Sequence, residues 1–243
     1  MGSPLNRRRI VNAITRRLSR PFVQTLCKLE YQAQEFRRHN ERPIELAFVF
    51  RHMAQLCPIT VLDVGTGTTA LPHLMANCGC TVTAIDNIYD YWPKGMFNRH
   101  FHIIHDDITN TNLRSEFDFI TCVSVLEHIR EYDAAVKSLF KLLRPGGHLI
   151  ITCPYNEHRY IENVYKMEGA GYGWNNPYIC QMYSRMQVNR WLQENKGRLV
   201  DQEWWQVFSG ELWTFGEKLN PPRQVKPDER HQLTCMLFQK PLS

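Results

Sequence analysis

No stretch of this 243-residue chain approaches the ~20 consecutive apolar residues that a membrane-spanning helix needs; its apolar runs are as short as Ile59–Leu62 and Leu46–Phe50. The arginines near the start are not followed by a continuous apolar segment, so no secretory leader is expected. Internal repeats and low-complexity tracts are absent as well. Cysteine occurs eight times (Cys27, Cys57, Cys78, Cys80, Cys122, Cys153, Cys180 and Cys235), but only Cys78 and Cys80 are close neighbours. A single C-x-C without a second pair is poor material for zinc or for a disulfide framework. Reduced thiols of a cytoplasmic protein are expected instead, several of them acting as small core hydrophobes. A dominant charge is missing from most of the chain too. Residues 1–51 hold 11 Lys/Arg against 4 Asp/Glu, whereas the remainder holds 18 against 20. The near-neutral body argues against a long basic groove for nucleic acid, and the basic character belongs to the N-terminal segment.

What is present fits one α/β domain in length and in its 43% hydrophobic and 22% charged content. Residues 6–19 carry Ile10, Val11, Ile14 and Leu18 at helical spacing, with Arg7, Arg8, Arg9, Arg16 and Arg17 between them. Pro21 is expected to interrupt, with a second helix over 22–38 and a third over 43–55 that opens on Pro43. From Ile59 the pattern switches to short apolar runs near 59–64, 81–86, 101–105, 117–123 and 146–153, with helices over 68–78 and 132–143. Pro145-Gly146-Gly147 is expected to end the second of these and turn the chain into the next strand. Residues 154–183, rich in Tyr, Trp, Gly and Asn, read as a long loop or lid; a helix over 184–195 and strands over 198–208 and 232–239 follow, with 209–231 as an extended loop. The expected architecture is a doubly wound, Rossmann-like α/β sheet, mostly parallel with an antiparallel last strand, plus N-terminal helices. Residues 1–56 form the helical extension and 57–243 the main domain.

The chemistry concentrates where strand 59–64 runs into a glycine turn, Asp63-Val64-Gly65-Thr66-Gly67. In open α/β sheets, ligands bind at the carboxyl ends of strands beside the topological switch point. Glycines there let a ligand approach the backbone. About 20 residues on, the run Thr81–Ile85 ends in Asp86, followed by Asn87, where a carboxylate can accept both hydroxyls of a ribose. A dinucleotide site would show the same acid, and Ala70 in the third glycine position does not exclude it. Asp63 argues against it, because a carboxylate at the end of the first strand suits a cationic amino group and repels a pyrophosphate.

These residues resemble the class I S-adenosylmethionine-dependent methyltransferases over roughly 59–153. Asp63-x-Gly65-x-Gly67 matches the first motif, and Asp86 the ribose acid. His105-Asp106-Asp107-Ile108 falls where the family flanks adenine with an acid and an apolar neighbour. Phe117–Ile129 matches the fourth strand and its turn, and Leu142–Leu149 the lead into the fifth. The nearest likeness is to ubiquinone-biosynthesis O-methyltransferases and related glycan-modifying enzymes, through the run Thr121-Cys122-x-x-x-Leu126-Glu127-His128. The resemblance implies S-adenosyl-L-methionine as cofactor, held by Asp63, Gly65, Thr66, Gly67, Asp86, Asn87, Asp107, Ile108 and Val123, with Glu127 and His128 facing the acceptor. Two positions depart from it. Thr69 replaces the usual third glycine, and its hydroxyl is expected to cap the following helix. Ser124 stands where some relatives write the first acid of a Glu-x-x-Glu-His metal motif, so no catalytic metal is expected.

Methyl transfer from a sulfonium is an in-line displacement with a good leaving group, so alignment and exclusion of water are the main tasks. For a hydroxyl acceptor, a base completes the site, and His128 has the suitable pKa class, with Glu127 orienting it or binding the acceptor. The alternative is that Glu127 caps the next helix and His128 packs. His158 and Glu157, just beyond the fifth strand, are alternative bases. Tyr165, Tyr172, Trp174, Tyr178 and Tyr183 are candidates for an acceptor wall, and Trp204, Trp205, Phe208, Trp213 and Phe215 equally for packing. The expected activity is O-methylation of a small molecule or glycan. An RNA methyltransferase or a non-catalytic cofactor-binding scaffold are the alternatives. The basic N-terminal helix suits contact with the inner face of a membrane, or packing on the core or on a second copy in a homodimer.

Overall fold

The structure, a computed structural model, describes residues 4–34, 41–90 and 95–242, and the side chains of residues 4–10 are outside that description. The chain divides into two compact units, Met1–Arg38 and His39–Ser243.

Among its described residues the first unit holds one helix, α1 (Pro4–Gln32), which runs through Pro21 rather than breaking there. An internal proline removes one backbone hydrogen bond. Here Arg and Leu recur before it and Leu, Gln and Lys after it, residues that favour the helix. Val11, Ile14, Leu18, Phe22, Leu26 and Leu29 recur every three or four residues as one apolar stripe, and all six are exposed, Leu18 by 75%. Residues 35–38 of the expected second helix and the side chains of Arg7, Arg8 and Arg9 lie outside the described residues.

The second unit opens with α2 (Glu41–Leu56), whose Ile44, Phe48, Val49 and Met53 are buried in the same cluster as Val61, Phe119 and Ile150 of the sheet. That burial makes α2 part of the main domain rather than of an extension. The sheet has eight strands: β1 (Thr60–Val64), β2 (Thr81–Asp86), β3 (Ile104–His105), β4 (Phe117–Val123), β5 (Leu143–Pro154), β6 (Arg198–Phe208), β7 (Lys218–Val225) and β8 (Leu233–Gln239). Their order is β3-β2-β1-β4-β5-β8-β6-β7. β1 to β5 pair in parallel, and β8 enters antiparallel between β5 and β6. The order reverses between β1 and β4, which places the switch point there.

Alternate residues of a strand face opposite sides of a sheet. Leu62, Val64, Ile120 and Cys122 face the cluster built on α4 (Tyr132–Leu142) and α5 (Arg185–Asn195). Val61, Phe119, Val123 and Ile150 face the cluster built on α2 and α3 (Leu71–Asn77). By that parity Asp63 and Thr121, which are register partners, and Thr152, the partner of Val123, lie on the α2 side.

Two expectations fail in the C-terminal half. Residues 209–231 are not all loop, since β7 pairs antiparallel with β6. Its Pro221 and Pro222 argue against a strand until its place is known. It is the last strand of the sheet, and an edge strand tolerates a missing N–H. Pro145-Gly146-Gly147 does not separate helix from strand. Leu143 already pairs with Phe117 and His148 with Phe119, so residues 144–147 bulge within β5.

Candidate active site

Asp63 stands near the end of β1, 2% exposed, with both carboxylate oxygens engaged. Thr66 Oγ1 donates to Oδ2 at 2.7 Å and Thr121 Oγ1 to Oδ1 at 2.7 Å. Burial pushes its pKa up to about 6 against the lowering effect of both hydroxyls, and Asp86 adds to the rise.

The two glycines of the turn have different reasons to be glycine. Both have positive φ, +70° at Gly65 and +54° at Gly67. A Cβ on Gly65 would sit 2.3 and 2.4 Å from the two methyls of Val125, so the turn after β4 is pressed onto it. A Cβ on Gly67 would meet nothing within 4 Å, which leaves that backbone open to a ligand. Gly67 N–H donates to Asp86 Oδ2 at 2.7 Å, which ties the ends of β1 and β2 together. Asn87 N–H also bonds the Asp86 carboxylate, although burial still raises its pKa.

Sequence reasoning missed the side chain that clamps this turn. Asn98 Nδ2 donates to the carbonyls of Gly67 (2.8 Å) and Thr69 (2.9 Å), while its Oδ1 accepts from the N–H groups of His100 and Phe101. Thr69 does not cap α3, whose cap residue is Ala70 without a side-chain bond. Its hydroxyl donates to Thr66 O at 2.9 Å and closes the glycine turn on itself. Beyond β3, Asp107 is exposed and caps a short helical turn through Thr109, Ile108 is buried, and Asp106 is held by Thr111 and Asn112.

Val123 ends β4, buried, and Ser124 follows in left-handed backbone, φ +53°. A single helical turn then presents Leu126, Glu127 and His128. The segment 179–183 stitches this turn down with four hydrogen bonds. His128 Nδ1–H donates to Ile179 O at 2.7 Å, and Gln181 N–H to Glu127 O at 2.8 Å. Tyr183 hydroxyl donates to Leu126 O at 2.7 Å, and Gln181 Nε2 to Ile129 O at 2.7 Å. The carbonyl partner fixes the proton on Nδ1, so Nε2 is the basic nitrogen of the neutral ring. Burial lowers the His128 pKa and favours that neutral form. The Tyr178 ring meets His128 edge-on, centroids 5.5 Å apart.

Glu127 is 3% exposed and its Oε2 has no hydrogen-bond partner. Burial first, and Glu45 second, push its pKa up to about 8. Glu45 itself comes from α2, was not anticipated, and is fully buried. Its Oε1 accepts from Ser124 Oγ at 2.5 Å and Thr152 Oγ1 at 2.6 Å, and Arg42 lies 3.0 Å from its Oε2. No spacing rule links residue 45 to residue 127; only the α2 face brings them together.

The remaining candidates sit elsewhere. His158 is exposed in a groove of about 250 Å³ with Glu157, Glu211, Arg230 and His231, none of them a cofactor candidate. Glu157 is taken up by Arg185 (2.7 Å), the Tyr155 hydroxyl (3.0 Å) and Trp204 Nε1 (3.2 Å), and its pKa is lowered. Of the lid aromatics, Tyr165 and Tyr183 are core, Tyr178 touches His128, and Tyr172 and Trp174 are exposed. Phe208 and Trp213 pack edge to face, centroids 5.2 Å apart, inside the core. All eight cysteines are free thiols. No helix among the described residues is long and apolar enough to cross a membrane.

Comparison with known proteins accords with this geometry. A methyltransferase-domain family profile matches residues 31–211. The chain is 29% identical over 121 residues to a ubiquinone biosynthesis O-methyltransferase of Idiomarina loihiensis, covering 47% of this chain and 50% of that one. It is 27% identical over 145 residues to the Acinetobacter baylyi enzyme of the same name, 54% and 59% covered. The chain thus spans about half the length of the curated relatives it matches. Among solved structures, the Burkholderia thailandensis 1,6-didemethyltoxoflavin-N1-methyltransferase, bound to S-adenosylhomocysteine, superposes with a TM-score of 0.54 at 15% identity, covering 99% of this chain and 92% of that one. A methyltransferase from Methanosarcina mazei gives 0.52 at 16%, covering 80% and 98%. Their fold is this one, and the acid at the end of β1, the open glycine turn and the acid at the end of β2 fit S-adenosylmethionine. The chain belongs to the methyltransferase-domain family.

Proposed function

We propose that this protein transfers a methyl group from S-adenosylmethionine to a hydroxyl of a small molecule or glycan, with His128 as the general base. Asp63 holds the cofactor's amino group, the open Gly67 backbone and Asp86 its ribose, and Asp107 with Ile108 its adenine, beside Asn87 and Val123. The cofactor supplies an electrophilic methyl on a positively charged sulfur. Residues of the chain orient the acceptor, exclude water and take its proton.

One observation carries the assignment of the base: the 2.7 Å bond from His128 Nδ1–H to Ile179 O, which puts a proton on Nδ1 and leaves Nε2 as the basic nitrogen once burial has favoured the neutral ring, on the turn that follows β4. Glu127 and His128 share that turn, whereas His158 lies in the groove with His231, so we place the role on His128. The names of the curated relatives support an oxygen acceptor.

The test is turnover with labelled cofactor and fractionated small-molecule, glycan and RNA pools. Label in a hydroxylated small molecule or glycan supports the proposal. Label confined to RNA, or cofactor binding with no transfer to any pool, refutes it. As part of the same reading, we propose that α1 rests on an anionic membrane surface, its apolar stripe inward and its arginines toward the headgroups. Pairing of two copies through that stripe is the competing outcome.

A further inference from the structure

The proposed function leaves unused a buried carboxyl with no partner. Glu127 Oε2 has no hydrogen-bond donor, and the residue is almost wholly inaccessible. An unpaired buried polar group costs stability, so its persistence asks for a ligand that completes it. The charged groups facing it are Glu45 and Arg42, both from α2. The remaining titratable neighbours are the thiols of Cys122, Cys153 and Cys180 and the phenols of Tyr165 and Tyr183, all held neutral by burial.

The position of this carboxyl indicates which ligand charge it answers. Arg42 acts electrostatically on both Asp63 and Glu127, so the two acids border one region. Val125, two residues before Glu127, abuts Gly65. A cofactor held by its ribose at Asp86 and by its amino group at Asp63 would have its sulfur between those residues, beside the glycine turn. Glu45 cannot supply the missing donor to Glu127. Its Oε1 already accepts from Ser124 and Thr152, and its Oε2 lies 3.0 Å from Arg42 in an ion pair. Asp63, Glu45 and Glu127 share the single cation Arg42, and the cofactor would bring two cationic centres against one carboxylate.

Resting on the cofactor assignment above, we propose that Glu127, with Glu45 beside it, is the counter-charge to the sulfonium. Its proton passes to solvent when S-adenosylmethionine binds and stays when the neutral thioether S-adenosylhomocysteine binds. Glu127 thereby distinguishes substrate from product by charge, and product release is favoured because the pair prefers to hold its proton once the sulfur is neutral.

The experiment is calorimetric titration of the full chain with S-adenosylmethionine, S-adenosylhomocysteine and sinefungin, whose amine puts a positive charge in place of the sulfonium. Each is run in buffers of different ionisation enthalpy, so that the heats give the protons released. At pH 7, close to one proton is expected with each cationic ligand and close to none with the thioether. The ratio of the two affinities, S-adenosylmethionine over S-adenosylhomocysteine, is expected to rise about tenfold from pH 6 to pH 7. Effects of Asp63 cancel in that ratio, since both ligands present the same amino group to it. E127Q is expected to abolish the difference in proton count. E45Q, which leaves the Glu127 carboxyl in place, is expected to shift the pH dependence of the ratio to lower pH, a change that a merely structural role would not produce. Binding with equal proton counts for all three ligands overturns the proposal alone. Binding of none of them overturns the cofactor assignment as well.

Discussion

Gly65 and Gly67 sit two residues apart in one motif, yet replacing each by alanine tests a different force. Both substitutions force an alanine into left-handed backbone, which costs about 1–2 kcal/mol. For Gly67→Ala that is the whole loss, because nothing lies within 4 Å of the new Cβ. For Gly65→Ala the Cβ overlaps the Val125 methyls, and relieving that overlap in a packed turn adds about 1–3 kcal/mol. Urea denaturation followed by tryptophan fluorescence should therefore place Gly65→Ala roughly 1–3 kcal/mol below Gly67→Ala. Val125→Ala removes both overlapping methyls and leaves only Cβ, at 2.9 Å. The double variant Gly65→Ala/Val125→Ala should then lose less than the sum of its parts, with a coupling of about 1–2 kcal/mol. Equal losses for the two glycine variants, or strict additivity with Val125→Ala, would refute the idea that the β4 turn is seated on Gly65. For cofactor binding the order reverses. Gly67→Ala puts a methyl where the ligand approaches, and calorimetry should show the larger loss of affinity there.

His128→Ala should lower turnover by about 10²–10⁴ with little change in cofactor affinity, and wild-type turnover should rise with pH through a midpoint below 6.5 as the ring loses its proton. His158→Ala should leave turnover at the wild-type value; a matched loss in both variants would move the base. Asp63 has a folded pKa of about 6, above its ordinary 3.8, so the folded state holds the proton more tightly and stability falls as pH rises from about 4 to 6. Asp63→Asn should remove that fall, worth about 3 kcal/mol at pH 7, while weakening cofactor binding; a melting curve whose pH dependence matches wild type would count against it. Sedimentation with vesicles containing phosphatidylserine should retain the full chain and lose Leu18→Glu, each of Arg16, Arg17 and Arg20 adding about 1 kcal/mol. Equal binding to neutral vesicles would overturn the electrostatic part.

The sheet was legible because strands buried on both faces write themselves as short apolar runs, and β1, β2, β4 and β8 begin and end within a residue or two of expectation. β7 was not, since Pro221 and Pro222 speak against a strand unless its edge position is already known. Pro21 misled in the opposite direction, because local propensity on both sides outweighs one missing hydrogen bond. In the site, Asp63, the glycines and Asp86 could be named from spacing, as they lie at strand ends, and the Glu127-His128 pair from the family resemblance. Glu45, Arg42 and Asn98 could not. Their roles arise from tertiary approach, α2 laid against the ends of β4 and β5 and a loop folded back on the glycine turn, and no periodicity records that.

The four hydrogen bonds between segment 179–183 and residues 126–129 make the proposed base a joint product of two distant stretches of chain. If that segment lifts to admit an acceptor, His128 loses the carbonyl that defines its tautomer, and the basic nitrogen is no longer specified. Opening and reactivity are then mutually exclusive states of one structure. On that reading the readiness of the proposed base would report whether the segment is seated.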